Sequence, residues 1–142
     1  MVSCGRTEEA PDKNRLTGEV RAMLKAYHQA IAEEGLTAEL EYLDRSPAFF
    51  WVPPGYETAL SYDSVSAILK KNATTLRLAE FEWDTLRIFP LTDEIANYSG
   101  IVRGRTIDTA GVETKISIIE SGTVIKRKDG WKLLSGQSAL IR

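Results

Sequence analysis

The sequence has very few of the residues that build covalent cross-links and metal centres: one cysteine and one histidine among 142 residues. A single cysteine excludes a disulfide within the chain, and Cys4 with His28 gives too few ligands for a zinc-type site. The chain also lacks an excess of positive charge, with 18 Lys and Arg against 20 Asp and Glu. It has no apolar run near the roughly 18 residues of a membrane span and no glycine-rich phosphate-binding loop. We therefore expect no cofactor, no metal and no nucleic-acid partner.

A chain of this length fits one domain with a core of its own. We predict a flexible N-terminal tail over residues 1–14 and a single domain over residues 15–142. Within the tail, a small residue before Cys4 and a polar stretch after it are typical of a bacterial lipoprotein whose signal peptide has been removed. The alternative is a disordered cytosolic tail with an incidental cysteine. The location stays open: cytoplasmic, or periplasmic or at the cell surface if Cys4 carries a lipid anchor.

Three helices are predicted in the first half of the chain. Apolar residues recur at helical spacing over residues 16–34, and Gly35 is a natural C-terminal stop. Thr37 can cap a short second helix that Ser46-Pro47 ends. Asp63 is a good N-cap for a third helix.

Five strands are predicted, the first short and the others long. They cover residues 48–52, 76–91, 95–108, 112–128 and 131–140, with an irregularity near Asp84. The turn signals Ala110-Gly111 and Asp129-Gly130 separate the last three strands as antiparallel neighbours. Helices followed by a strand meander predict an α+β fold, in which a curved sheet wraps around helices and encloses a conical pocket.

The two turns give a register for the last three strands, if both are two-residue hairpin loops. Arg103 then lies opposite Ile118. Glu120 then lies opposite Ile101 and Ala139. Both faces of such a sheet are substantially apolar, so both must be covered. The helices can cover one face and a second copy of the chain the other, which predicts a homodimer.

Glu120 lies within the apolar segment 116–122, where a carboxylate is costly unless it is paired or protonated. In the assumed register Arg103 is its diagonal neighbour, so Glu120 is either half of a structural ion pair or a pocket carboxylate that binds or transfers a proton. Tyr27 faces the core and its hydroxyl needs a partner, which makes Tyr27 and Glu120 the candidate catalytic residues. His28, at the edge of the same helical stripe, is predicted to be a surface residue. The predicted ligand-binding set is Tyr27, Trp51, Asn97, Arg103, Glu120 and Gln137.

Four segments, in this order and spacing, carry a resemblance to a known family. They are Tyr27-His28-Gln29-Ala30-Ile31, Ala48-Phe49-Phe50-Trp51, Ala96-Asn97-Tyr98-Ser99-Gly100 and Asp129-Gly130-Trp131-Lys132-Leu133. Together they resemble the SnoaL-like branch of the nuclear transport factor 2-like superfamily. The resemblance implies a cone-shaped, cystatin-like α+β roll with three N-terminal helices on a curved, mostly antiparallel sheet. It also implies a homodimer through the sheet and an apolar pocket between the sheet and the long helix.

Ketosteroid isomerases, a distant part of the same superfamily, give the sharpest catalytic comparison. Tyr27 falls where those enzymes place an oxyanion-hole tyrosine, and Glu120 lies on the strand that carries their protonated aspartic acid. Their general base would fall at about Trp51 or Val52, and neither residue is a base. The resemblance therefore implies the pocket more than it implies isomerase chemistry.

Three functions are compatible with these features. The first, which we rank highest, is binding of a small, largely apolar molecule in the pocket between the sheet and the first helix. The second is an isomerase, cyclase or dehydratase in which Glu120 and Tyr27 take part in proton transfer. A raised pKa of Glu120 would favour this enzyme, and a closed ion pair with Arg103 would count against it. The third is a protein-interaction module without a ligand, favoured if tryptophan and phenylalanine side chains fill the pocket.

Overall fold

The computed structural model describes residues 11–141, in which helices precede a run of long strands. The elements are α1 (Lys13–Glu34), a 3₁₀ helix (Leu36–Tyr42), β1 (Phe50–Val52), α2 (Tyr62–Ala73), β2 (Leu76–Pro90), β3 (Ile95–Asp108), β4 (Glu113–Arg127) and β5 (Gly130–Ile141). The predicted α+β class is confirmed. Helix α1 begins within the predicted tail of residues 1–14, most of which lies outside the described residues, as does Cys4.

The helix ends follow from local capping. Asp12 caps α1 by accepting a hydrogen bond from the backbone N–H of Arg15 at 3.1 Å. Gly35 ends α1 with a φ of 97°, a left-handed conformation that glycine adopts without strain. The predicted cap of α2 is wrong by two residues: Ser61 is the N-cap, and Asp63 lies in the first turn, where its charge favours the helix dipole.

The strands form one five-stranded sheet in the order β1-β5-β4-β3-β2. β1 runs parallel to β5, and all other neighbours are antiparallel. The predicted irregularity near Asp84 is confirmed, because the pairing of β2 with β3 shifts between Trp83 and Thr85. The long helix α1 packs on the inner face of the sheet, and the indole N–H of Trp83 donates to the backbone oxygen of Leu24 at 3.1 Å. No helix within residues 11–141 combines the length and the apolar character needed to cross a membrane.

The predicted register of β3 with β4 is wrong by one residue. The connection extends over residues 108–112, because the carboxylate of Asp108 accepts hydrogen bonds from two backbone N–H groups within it, each at 2.9 Å. Glu120 therefore lies opposite Gly100 instead of Ile101. A one-residue slip exchanges the two faces of a strand, so every side chain of β3 lies on the face opposite to the one predicted.

The register of β4 with β5 also differs from the prediction. The hairpin loop is residues 128–129, and a bulge at Leu134 then shifts the pairing by one residue. Glu120 therefore lies opposite Ser138 instead of Ala139. Together these two corrections decide which polar side chains surround Glu120.

Candidate functional site

A cavity of about 440 Å³ lies between the inner face of the sheet and the helices. Most of its wall is apolar, with contributions from α1, the 3₁₀ helix, α2 and all five strands. The apolar side chains include Ile31, Leu36, Val65, Ile68, Phe81 and Ile118. A cavity with mostly apolar walls and few polar groups has the usual composition of a small-molecule site.

The carboxyl group of Glu120 lies in this cavity and accepts hydrogen bonds from three hydroxyl groups. Tyr27, from α1, donates to Oε2 at 3.1 Å, and Tyr98, from β3, donates to the same oxygen at 2.7 Å. Ser138, from β5, donates to Oε1 at 3.4 Å. The indole N–H of Trp51 donates in turn to the Ser138 hydroxyl at 2.9 Å. Four elements therefore meet at one buried carboxyl group, which explains how an acidic side chain is tolerated within an apolar strand.

Burial and hydrogen bonding act on the pKa of Glu120 in opposite directions. Loss of hydration raises the pKa, and the hydroxyls of Tyr98, Tyr27 and Ser138 lower it, with a net rise above its usual value. Burial and the nearby Glu120 charge raise the pKa of both tyrosines well above the usual range. Both phenols therefore keep their protons and act as hydrogen-bond donors at neutral pH.

A second carboxyl group, that of Glu39 on the 3₁₀ helix, lines the same cavity. Loss of hydration, and then the charge of Glu120, raises its pKa to about 8. Among residues 11–141, no side chain or backbone group forms a hydrogen bond or ion pair with this carboxyl group. Sequence reasoning missed Glu39. The one available signal is that it follows Leu36 by three residues, and residues three apart lie on the same face of a 3₁₀ helix.

His28 is buried, which corrects the prediction that it lies on the surface. Its ring stacks on Trp83 with a centroid distance of 4.9 Å and meets the ring of Tyr27 edge-on at 4.3 Å. Burial lowers its pKa to about 4, so the imidazole is neutral at neutral pH. Within the described part of the chain, Nδ1 of His28 is the one buried side-chain polar atom without a hydrogen-bond partner.

Three of the predicted ligand-binding residues lie on the outer face of the sheet, away from the cavity. Arg103 is exposed and forms an ion pair with Asp84 at 3.0 Å, so of the two alternatives for Glu120 the ion pair with Arg103 is wrong. Asn97 is exposed and accepts a hydrogen bond from the hydroxyl of Thr123 at 3.0 Å. Gln137 is exposed as well. The cause is the register error. The structure brings together Tyr27, Trp51 and Glu120 from the predicted set and adds Tyr98, Ser138, Glu39 and His28.

No protein-family model and no curated protein sequence matches this chain. Solved structures match it in fold. A nuclear transport factor 2-like superfamily protein from Salmonella enterica superposes with a TM-score of 0.76 at 13% sequence identity, covering 91% of this chain and 93% of that one. For a scytalone dehydratase-like protein from Novosphingobium aromaticivorans the TM-score is 0.77 at 13% identity, covering 89% and 84%. For a ketosteroid isomerase-like protein from Erwinia carotovora it is 0.72 at 17% identity, covering 91% and 98%.

The chain therefore has the nuclear transport factor 2-like fold, which confirms the predicted curved roll of helices on a mostly antiparallel sheet. Identities this low establish the fold alone, and one fold carries many functions. An activity has to be argued from the side chains in the cavity.

Proposed function

We propose that this protein binds a small, largely apolar molecule in the cavity, with a polar group of that molecule at Glu120. The observation that carries the proposal is the position of the polar groups: Tyr27, Trp51, Ser138 and Glu120 meet at one place in a cavity with otherwise apolar walls. Apolar walls supply affinity, and a few fixed polar groups supply orientation. The aromatic side chains leave about 440 Å³ open, which favours a ligand over a module that only binds other proteins.

Native mass spectrometry of the protein purified from its own host tests this proposal. We expect an added mass that stays bound under native conditions and is lost on denaturation. Ile118→Trp should abolish it by filling the cavity, and Val112→Trp should retain it, because Val112 is 57% exposed in the connection between β3 and β4, away from the cavity. Absence of any added mass, or equal loss in two folded variants, would contradict binding in this cavity.

The same spectra test two further predictions. The outer face exposes Ile119 and Leu140, the latter by 60%, which supports a homodimer formed through the sheet. A spectrum with monomer alone at micromolar concentration would contradict that dimer.

A mass increase at the N-terminus would reveal a lipid on Cys4.

A second candidate function is proton transfer, in an enzyme of the isomerase, cyclase or dehydratase kind. The observation that favours it is that two carboxyl groups with raised pKa values, those of Glu39 and Glu120, line one largely apolar cavity. Carboxyl groups with raised pKa values can take up or release a proton near neutral pH. Tyr27 can donate to an oxygen that develops negative charge. Arg103 lies on the other face and pairs with Asp84, so it does not neutralise Glu120.

Deuterium uptake by a ketone tests the proposed proton-transfer activity. Incubating the protein in D₂O with 2-tetralone, a ketone with acidic C–H bonds, should exchange those hydrogens faster than buffer alone. The rate should rise with pH as Glu39 loses its proton near pH 8. Glu120→Gln should lower it on the order of 100-fold. Uptake that equals the buffer rate, or that is unchanged in both Glu39→Gln and Glu120→Gln, would exclude this activity on ketones.

A further inference from the structure

The charges that line the cavity are all of one sign. Glu39 and Glu120 contribute carboxyl groups, whereas none of the chain's 18 Lys and Arg residues is among the described residues that form the wall. His28, the one histidine, lies there as a neutral ring. A ligand with a carboxylate would therefore meet two acids and no base. A carboxylate held there would find no cation among the described residues and would raise the pKa of both acids further, so its binding is disfavoured.

The two carboxyl groups are not equivalent. Glu120 already has three hydroxyl donors, so the protein itself satisfies it. Glu39 has no such donor among the described residues, although it is half-buried and lines the same cavity. Glu39 is half-buried and its carboxyl group opens onto the cavity, so its partner is either water or a ligand, and a ligand group that displaces the water must donate hydrogen bonds in its place.

The aromatic side chains of the wall favour a particular kind of partner. Trp51, Tyr56 and Phe81 line the cavity together with Tyr27. The faces of aromatic rings carry negative charge density and attract organic cations. Acidic groups and aromatic rings together, with no positive side chain among the described residues of the wall, form an environment complementary to an ammonium group.

We propose that the ligand of this cavity is an apolar amine, bound with its protonated nitrogen at Glu39 and its hydrocarbon body against the apolar wall. This inference rests on the proposed function, since it names the class of the bound molecule. An ammonium group has N–H donors and no acceptor, so it matches a site whose free groups are carboxyl oxygens. A charge-assisted hydrogen bond is about twice as strong as a neutral one, which gives the amine its advantage over an alcohol of the same shape.

Isothermal titration calorimetry with three compounds of one skeleton tests the inference: 2-naphthylmethylamine, 2-naphthylmethanol and 2-naphthoic acid. We expect the amine to bind about tenfold more tightly than the alcohol, because hydrogen bonds to charged groups are worth more than neutral ones, and the acid to bind most weakly. Glu39→Gln should remove the preference for the amine, so that the variant binds the amine no more tightly than it binds the alcohol. Glu41→Gln is the matched control, because Glu41 lies on the same 3₁₀ helix with an exposed side chain, and it should keep the preference.

The outcomes separate the two proposals. An alcohol that binds as tightly as the amine, or a preference for the amine that survives Glu39→Gln, would overturn the inference and leave the proposed binding function standing. If none of the three compounds binds the wild-type protein more tightly than it binds Ile118→Trp, the proposed function fails, and the amine with it. The titrations are repeated with the same three end groups on an adamantane skeleton, so that the result does not depend on the shape of the naphthalene ring.

Discussion

Glu39→Gln is expected to remove most of the pH dependence of stability above pH 6.5. The pKa of Glu39 is about 8 in the folded protein, compared with 4.5 for an unperturbed glutamate. Between these values the folded state keeps a proton that the unfolded state has lost, so the contribution of Glu39 to the stability of the wild-type protein falls as pH rises. The slope is about 1.4 kcal/mol per pH unit, or roughly 4 kcal/mol between pH 5 and pH 8. Glutamine has no proton to lose, so the variant should gain stability relative to wild type by that amount over this range.

Urea unfolding at pH 5, 6, 7 and 8, followed by tryptophan fluorescence, measures this difference. Glu41→Gln should follow the wild-type curve, because its side chain is exposed. Parallel curves for wild type and Glu39→Gln would mean that Glu39 titrates as in water and does not face a dry cavity. Glu120, whose pKa is also raised, adds a slope of the same sign that both proteins share, and Tyr27 and Tyr98 stay protonated throughout.

His28 contributes with the opposite sign. Burial lowers its pKa to about 4 from 6.5, so below pH 6.5 the unfolded state binds a proton that the folded state does not. Stability from this residue is present above pH 6.5 and is lost as pH falls toward 4. Between pH 4.5 and 6.5 the slopes from Glu39 and His28 largely cancel. The separate effect of Glu39 is therefore clearest between pH 6.5 and 8.

The sequence predicted the elements of this fold well because their signals are local. The apolar spacing over residues 16–34 and the stop at Gly35 match α1, and the predicted bounds of 95–108 match β3. Register is not a local property. The side chain of Asp108 enlarges one hairpin connection, and a bulge at Leu134 shifts the other, and no alternation of apolar residues reveals either.

The error in register also affected the predicted set of site residues. Glu120 and Tyr27 were identified because a carboxylate in an apolar strand and a tyrosine in a helical stripe are each unusual by themselves. The slip in β3 replaced Tyr98, which holds Glu120, with Asn97 on the opposite face. Glu39 was missed because its one local signal, the spacing of three from Leu36, is weak. The packing of the 3₁₀ helix, chiefly against α1 and α2, decides that Glu39 and not Glu41 faces inward.

The position of Trp51 depends on two glycines that face each other across strands β4 and β5. Gly122 pairs with Gly136, and the Trp51 indole lies over this bare patch of sheet. A Cβ atom at Gly122 would lie 3.1 Å from the indole ring, and one at Gly136 would lie 2.6 Å from it. The absence of side chains at these two positions lets the indole N–H reach Ser138, which in turn donates to Glu120. The absence of side chains at Gly122 and Gly136 therefore fixes the positions of Trp51, Ser138 and Glu120.

Gly136→Ala is expected to destabilise the protein by about 3 kcal/mol, at the upper end of the usual cost of overpacking. The added methyl group would press on the Trp51 ring and, more closely still, on the backbone oxygen of Ser121, which the strand pairing holds in place. Gly18→Ala is the matched control, since Gly18 is exposed within α1 with no atom within 4 Å of an added Cβ. There the same change should stabilise by up to about 1 kcal/mol, because alanine favours a helix interior. Denaturant unfolding gives both free energies, and near-ultraviolet circular dichroism should change only in Gly136→Ala, as the indole moves. Equal free energies of unfolding for the two variants would mean that Trp51 does not lie on these glycines, and the polar end of the cavity would then have to be built differently.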